Sequence, residues 1–206
     1  MSFPDRTYPS AGDYIAAYRD EIARAWASVD LAAIDRAAVL LDAAIRSGHV
    51  IYACGNGGSA AISGHLLCDF LKGIQTDTAL RPKIISLVSH LELITAIAND
   101  ISYAEIFAYQ LRTLAEPGDV LMTISSSGNS ENIVRAVEWA RGNGVTSIAM
   151  TGFSGGRSAT LADVVLHVAA ENYGVVEDIH QSMMHCFAQY LRQRAMAPEH
   201  VQSRPF

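Results

Sequence analysis

Ile51-Tyr52-Ala53-Cys54-Gly55-Asn56-Gly57-Gly58-Ser59-Ala60 is an apolar run that stops at a glycine-rich turn and passes into helix-forming residues. The pattern predicts a strand, a tight turn and a helix. Glycines at 55, 57 and 58 allow positive φ and a close approach to a ligand, Ser59 can cap the new helix, and the first amides of that helix point above the sheet. The expected occupant is oxygen-rich and anionic.

The device recurs. After Val120-Leu121-Met122-Thr123-Ile124 comes Ser125-Ser126-Ser127-Gly128-Asn129-Ser130, which leads into a second helical stretch from Glu131. Four hydroxyls, free amides and a helix N-terminus can hold a phosphate with no Lys or Arg in the loop. Turn and cap chemistry accounts for either loop alone. The pair, each at the carboxyl end of a predicted parallel strand, points to a ligand, because open α/β sheets bind there.

Around these loops the chain alternates. Residues 1 to about 10 contain two prolines and read as a loose arm. Ile15, Tyr18, Ile22 and Trp26, then Ile34, Ala38, Leu41 and Ile45, recur at helical spacing and predict two amphipathic helices, from Asp13 to about Ser28 and from about Leu31 to Gly48. Such helices ahead of the first strand must cover a sheet face or another subunit. Strand-like segments at His49 to Ala53, Lys83 to Val88, Asp119 to Ile124, Thr146 to Met150 and Asp163 to Val168 are separated by helix patterns at about 59–73, 90–115, 130–143 and 157–162. A long helix from Val176 to about Ala195 ends near Pro198. This alternation implies an α/β fold: one doubly wound, five-stranded parallel sheet in a single domain spanning 1–206, with residues 1–48 as a helical arm.

Composition narrows the function. The chain has 206 residues, half of them hydrophobic and 17% charged, with a net charge of -6, so no basic field favours nucleic acid. No apolar run approaches a membrane span and the start lacks a signal pattern, so a cytoplasmic protein is expected. Cys54, Cys68 and Cys186 sit in apolar patterns without C-x-x-C spacing and are expected to be buried thiols.

Two histidine–carboxylate pairs could carry chemistry. His65 and Asp69 lie four apart on one helical face, and Glu177 and His185 lie eight apart on the last helix. His65 with Asp69 could be a surface ion pair, or the four residues could surround one zinc ion. Glu177 and His185 are separated by about 12 Å along an ideal helix, so Glu177 must lean inward to share an ion. Asn99-Asp100 is either a helix terminator or a pair that binds hydroxyls.

With these pieces together the sequence resembles the sugar isomerase (SIS) domain family, and within it the phosphoheptose isomerases, over nearly the whole chain to about residue 195. The matching stretches are Cys54 to Ala61, His65 with an acid four residues later, Ala98-Asn99-Asp100, Pro117 to Leu121, Ile124 to Ser130, Met150-Thr151-Gly152 and the helix bearing His185. The resemblance implies a flavodoxin-like SIS fold, a homotetramer, and isomerisation of sedoheptulose 7-phosphate to D-glycero-D-manno-heptose 7-phosphate. It places sugar hydroxyls on Asn56, Gly57, Gly58, Asn99 and Asp100, and the phosphate on Ser125, Ser126, Ser127 and Ser130. Zinc would fall to His65, Asp69, Glu177 and His185, with Asp69 as base, His185 as acid and Glu177 also facing substrate.

Three positions depart from the family pattern: Asp69 stands for Glu, Glu177 for Gln, and Gly73 for an arginine that Lys72 replaces imperfectly. The rivals to an enzyme are a non-catalytic SIS protein of the kind that associates with the replication initiator DnaA, and a sugar-phosphate-binding regulator. The acid at position 69 and both histidines favour an enzyme.

Overall fold

In the computed structural model, which describes residues 3–206, the chain runs α1 (Ala11–Ala27), α2 (Leu31–Ser47), β1 (Val50–Gly55), α3 (Gly58–Cys68), a π-helical turn (Asp69–Ile74) and β2 (Lys83–Ser86). Then come α4 (Leu91–Asp100), a 3-10 turn (Tyr103–Glu105), α5 (Ala108–Leu114), β3 (Val120–Ser125) and α6 (Glu131–Gly142). The chain closes with β4 (Thr146–Thr151), α7 (Gly156–Leu161), β5 (Val164–His167), α8 (Tyr173–Ala195) and α9 (Pro198–Ser203).

The five strands are parallel, as the alternation implies, and lie in the order β2-β1-β3-β4-β5. The winding reverses between β1 and β3, which pair from Ile51 opposite Val120 to Gly55 opposite Ile124. Because each predicted ligand loop follows one of these two strands, the reversal sets both loops side by side at the carboxyl edge.

Alternation along the strands divides the core in two. Ile51, Ala53, Val120, Met122 and Ile124 face α1, α2, α3 and α8, whereas Tyr52, Cys54 and Leu121 face α4, α5 and α6. Every residue of β3 is buried, the pattern of a parallel strand covered on both faces.

Several elements differ from the sequence expectation. The helix expected over 90–115 breaks after Asp100, where Ile101 leaves helical geometry and Ser102 is extended, so the chain turns before α5. The helix expected over 59–73 passes into a π-turn at Asp69. α8 starts at Tyr173 because the Asn172 side chain accepts from the Val175 amide, capping an earlier turn.

The N-terminal arm is docked rather than loose. Phe3 is buried among the rings of Tyr8, Tyr14 and Tyr18, and its carbonyl accepts from Asn172 Nδ2. Met1 and Ser2 of the expected arm lie outside the described residues. Of the cysteines, Cys54 is buried as expected, but Cys68 and Cys186 are exposed, because each falls on the outward side of its helix next to the polar positions 69 and 185. Among the described residues no helix is long and apolar enough to cross a membrane.

Candidate active site

The first loop turns at Gly57, with φ 56° and ψ −123°, a conformation that disfavours any side chain. Asn56 precedes it and is held from two directions. Its Nδ2 donates to Asn132 Oδ1 at 2.9 Å, and its Oδ1 accepts from Asn132 Nδ2 at 2.9 Å and from the Tyr103 hydroxyl at 2.9 Å. Both lone pairs of the Asn56 oxygen are used, which leaves one amide N–H for a ligand. Because Asn132 lies in the first turn of α6, this reciprocal amide pair bolts the two loops together.

In the second loop two of the four expected hydroxyls accept backbone bonds within the loop. Ser125 Oγ accepts from the Gly128 amide at 3.2 Å, and Ser127 Oγ accepts from the Asn129 amide at 3.3 Å. Ser126 Oγ is buried with no hydrogen-bond partner, and Ser130 occupies the N-cap of α6 without a side-chain cap bond. Because Ser125 and Ser127 act only as acceptors in these bonds, all four O–H groups stay free to donate, and with the helix N-terminus they are available to an anion. A cation comes from elsewhere in the chain: the Arg157 amide donates to Asn129 Oδ1 at 3.0 Å, and its guanidinium pairs with Glu131 at 2.6 Å beside the loop.

The histidine–carboxylate pairs meet along a seam between α3 and α8, which run parallel. Gly58 faces Glu177, His65 faces Gln181, and Asp69 faces His185. His185 Nδ1 stands 2.6 Å from Asp69 Oδ2, and His65 Nε2 stands 3.3 Å from Asp69 Oδ1. The imidazole centroids of His65 and His185 are 4.9 Å apart, edge to face. His65, Asp69 and His185 each offer a ligand atom within 4.8 Å of the others, and two imidazoles with a carboxylate oxygen are a donor set that suits a divalent transition metal.

Glu177, the expected fourth ligand, is outside this group. Its carboxylate lies over Gly58, where a Cβ on that glycine would collide with it. The axial separation from His185 explains this: Glu177 reaches the first loop, two turns from His185. Burial, reinforced by the Asp178 charge, holds its carboxyl above the usual range. Asn99 and Asp100 are exposed at the end of α4 and bonded to each other at 2.8 Å; from this segment it is Tyr103 that touches the first loop.

Three residues of the site were not singled out by sequence reasoning: Gln181, Asn132 and Tyr103. Gln181 Nε2 is 3.2 Å from His65 Nδ1 and 2.9 Å from His185 Nε2. Its signal was there, since 181 falls midway between 177 and 185 on one helical stripe. Asn132 directly follows the serine loop, but no local pattern marks its partner 76 residues away. His180, by contrast, is a core residue: it is fully buried, its Nε2 is 3.3 Å from the Thr151 carbonyl, and burial lowers it to about 4, so it stays neutral.

Residues 13–152 match the family described as the SIS domain. The chain is 39% identical over 142 residues to phosphoheptose isomerase of Nitratidesulfovibrio vulgaris, an alignment that covers 69% of this chain and 68% of the relative. Among solved structures it superposes on phosphoheptose isomerase of Neisseria gonorrhoeae with a TM-score of 0.81 at 30% identity, covering 88% of this chain and 98% of that one. The phosphoheptose isomerase of Francisella tularensis gives the same TM-score of 0.81 and identity of 30%, over 89% and 99%.

Proposed function

The chain belongs to the SIS-domain family, and on that footing we propose that it is an aldose–ketose isomerase of sugar phosphates, converting sedoheptulose 7-phosphate to D-glycero-D-manno-heptose 7-phosphate. The observation that carries the reading is the contact of His185 with Asp69 at 2.6 Å, an acid–base couple drawn from two elements on the α3–α8 seam, at whose other end Glu177 lies over Gly58 of the first loop.

In the reaction Asp69 takes the proton from the carbon next to the carbonyl and returns it one carbon away. His185 gives a proton to the carbonyl oxygen and withdraws one from the neighbouring hydroxyl. An enediol lies between the two transfers. Ser126, Ser130 and the α6 N-terminus, with Ser125 and Ser127 shaping the loop, hold the far phosphate and so set the reacting carbons against Asp69. Asn56, Gly57 and Gly58 line the sugar, Glu177 faces it over Gly58, and Asn99 with Asp100 completes the hydroxyl contacts. His65, Asp69 and His185 would hold a zinc ion, which when bound supplies a Lewis acid for the developing negative charge.

We also assign a single SIS domain over 1–206, with residues 1–48 packing on the domain and on neighbouring copies, and a cytoplasmic homotetramer. Supporting the assembly, Ile15, Leu31 and Val39 are 66%, 71% and 62% exposed on α1 and α2. An apolar cavity of about 280 Å³, bounded by Trp26, Leu31, Met183 and Phe187, opens beside them.

The test is incubation with a panel of ketose and aldose phosphates, with and without zinc. Zinc-dependent conversion of sedoheptulose 7-phosphate is expected. Binding without conversion of any sugar phosphate in the panel would leave a receptor in place of an enzyme.

A further inference from the structure

We propose that the cavity at the amino-terminal edge of the sheet, bounded by Arg46, Arg81, Lys83 and Arg194, binds a small molecule that carries two or more linked phosphates. This site is separate from the one described above, and its occupancy is independent of the isomerase reading.

Its position follows from the strand register. Gly48 ends α2 just ahead of β1, and Lys83 opens β2 opposite Val50, so the cavity lies where β1 and β2 begin. The two ligand loops follow the far ends of β1 and β3. Six residues of β1 set roughly 20 Å of sheet between the two places. The walls come from three segments, the last turn of α2, residues 79–83 and the end of α8, around an open space of about 770 Å³, the size of a small-molecule site.

The charge around this space is one-sided. Four of the chain's 15 basic residues line it and, among the described residues, no carboxylate does, in a protein of net charge -6. Arg46 pairs with Asp42 at 2.9 Å. Among the described residues Arg81, Lys83 and Arg194 have no ion-pair partner: Lys83 Nζ donates to the Gly48 carbonyl at 2.9 Å, Arg194 Nη1 donates to the Tyr190 hydroxyl at 3.3 Å, and the Arg81 side chain makes no hydrogen bond. Most of their N–H donors stay free.

Balancing helix ends accounts for part of this cluster. Arg46 and Arg194 sit in the last turns of α2 and α8, and Lys83 spends one N–H on the α2 end. Arg81 has no such duty. Like charges gathered around one space repel, and an anion seated among them removes that repulsion.

The three walls set the class of ligand. A single phosphate is too small to meet cations on all of them across 770 Å³, whereas linked phosphates can, and the guanidinium fork matches phosphate oxygens in pairs.

The experiment is calorimetric titration of the full chain at low ionic strength with tripolyphosphate, ATP and inorganic phosphate. Tripolyphosphate is expected to bind at least about tenfold more tightly than phosphate. The double variant Arg81→Ala/Arg194→Ala is expected to lose at least about tenfold in tripolyphosphate affinity, whereas Ser126→Ala in the serine loop keeps it. ATP bound more tightly than tripolyphosphate identifies a nucleotide as the ligand, and ATP bound more weakly identifies a free polyphosphate. No tripolyphosphate binding by wild type, equal affinity for phosphate, or wild-type affinity in the arginine variant overturns the proposal. Loss of binding in Ser126→Ala alone also overturns it, by putting the anion at the serine loop. Circular dichroism checks folding; should the double variant not fold, Arg81→Glu takes its place, and undiminished binding by that variant overturns the proposal in the same way.

Discussion

Asp69 Oδ2 and His185 Nδ1 stand 2.6 Å apart although 116 residues separate them in sequence. Asp69 opens a π-helical turn and His185 lies in the middle of the longest helix, so the couple exists only when α3 and α8 pack. π-turns recur at functional positions in helices. Asp69→Asn, assayed with saturating zinc, is expected to lower kcat by about 10²- to 10⁴-fold. Calorimetry should show sugar-phosphate binding within a few-fold of wild type, because the phosphate is held by the serine loop. Undiminished turnover would remove Asp69 from the mechanism.

Asn132 is expected to act through Asn56. Asn132→Ala takes away both amide bonds at 2.9 Å and leaves Asn56 tied to Tyr103 alone. A roughly tenfold loss in kcat/KM corresponds to about 1.4 kcal/mol of transition-state stabilisation, the size expected for a loosened sugar contact. Steady-state kinetics should show the loss mainly in KM. Tyr103→Phe, which leaves the amide pair intact, should be milder.

Two glycine-to-alanine changes should move stability in opposite directions. Gly128 sits at φ 64°, and a Cβ there would strike the Gly155 carbonyl and come within 2.9 Å of Ser158 Oγ. Gly128→Ala is expected to cost at least about 1–2 kcal/mol and to weaken phosphate binding. Gly64 lies inside α3, and an alanine methyl at that position would meet no atom within 4 Å, so Gly64→Ala should stabilise by about 0.5–1 kcal/mol. Urea unfolding of both variants decides it.

His180 makes stability depend on pH. Its native value is lowered to about 4 by burial, whereas an unfolded histidine titrates near 6.5, so below 6.5 the unfolded chain binds the extra proton. Stability from this group is present above pH 6.5 and is lost as pH falls toward 4, with about 2 kcal/mol gone between pH 7 and pH 5. His180→Phe should flatten that part of the profile in chemical denaturation. An unchanged slope would show that another group is responsible.

The five strand segments, both loops and the His65–Asp69 and His185 positions were legible because each depends on short-range pattern: apolar runs, glycine punctuation and four-residue spacing on a helix face. The break after Asp100 was not, since Leu91 to Leu114 keeps apolar residues at helical intervals, and the turn that buries Ile106 and Phe107 in the core beneath the sheet has no local mark in the sequence. Gln181 and Asn132 escaped for a different reason. An amide has no fixed chemistry of its own, and its role is set by what stands opposite, which for these residues is contributed by a distant segment. Glu177 was read as a metal ligand from its helical spacing with His185 as well as from the resemblance; its carboxylate lies over Gly58, outside the His65–Asp69–His185 group.

The parallel seam of α3 and α8 also makes the site vulnerable to changes in chain length. Because Gly58, His65 and Asp69 face Glu177, Gln181 and His185 in ascending order, one residue inserted in α8 between 177 and 181 would rotate everything beyond it by about 100°. The sheet would survive such an insertion, while the imidazole would swing away from its carboxylate. Descendants of this chain can therefore vary the exposed positions of that helix more readily than its residue count.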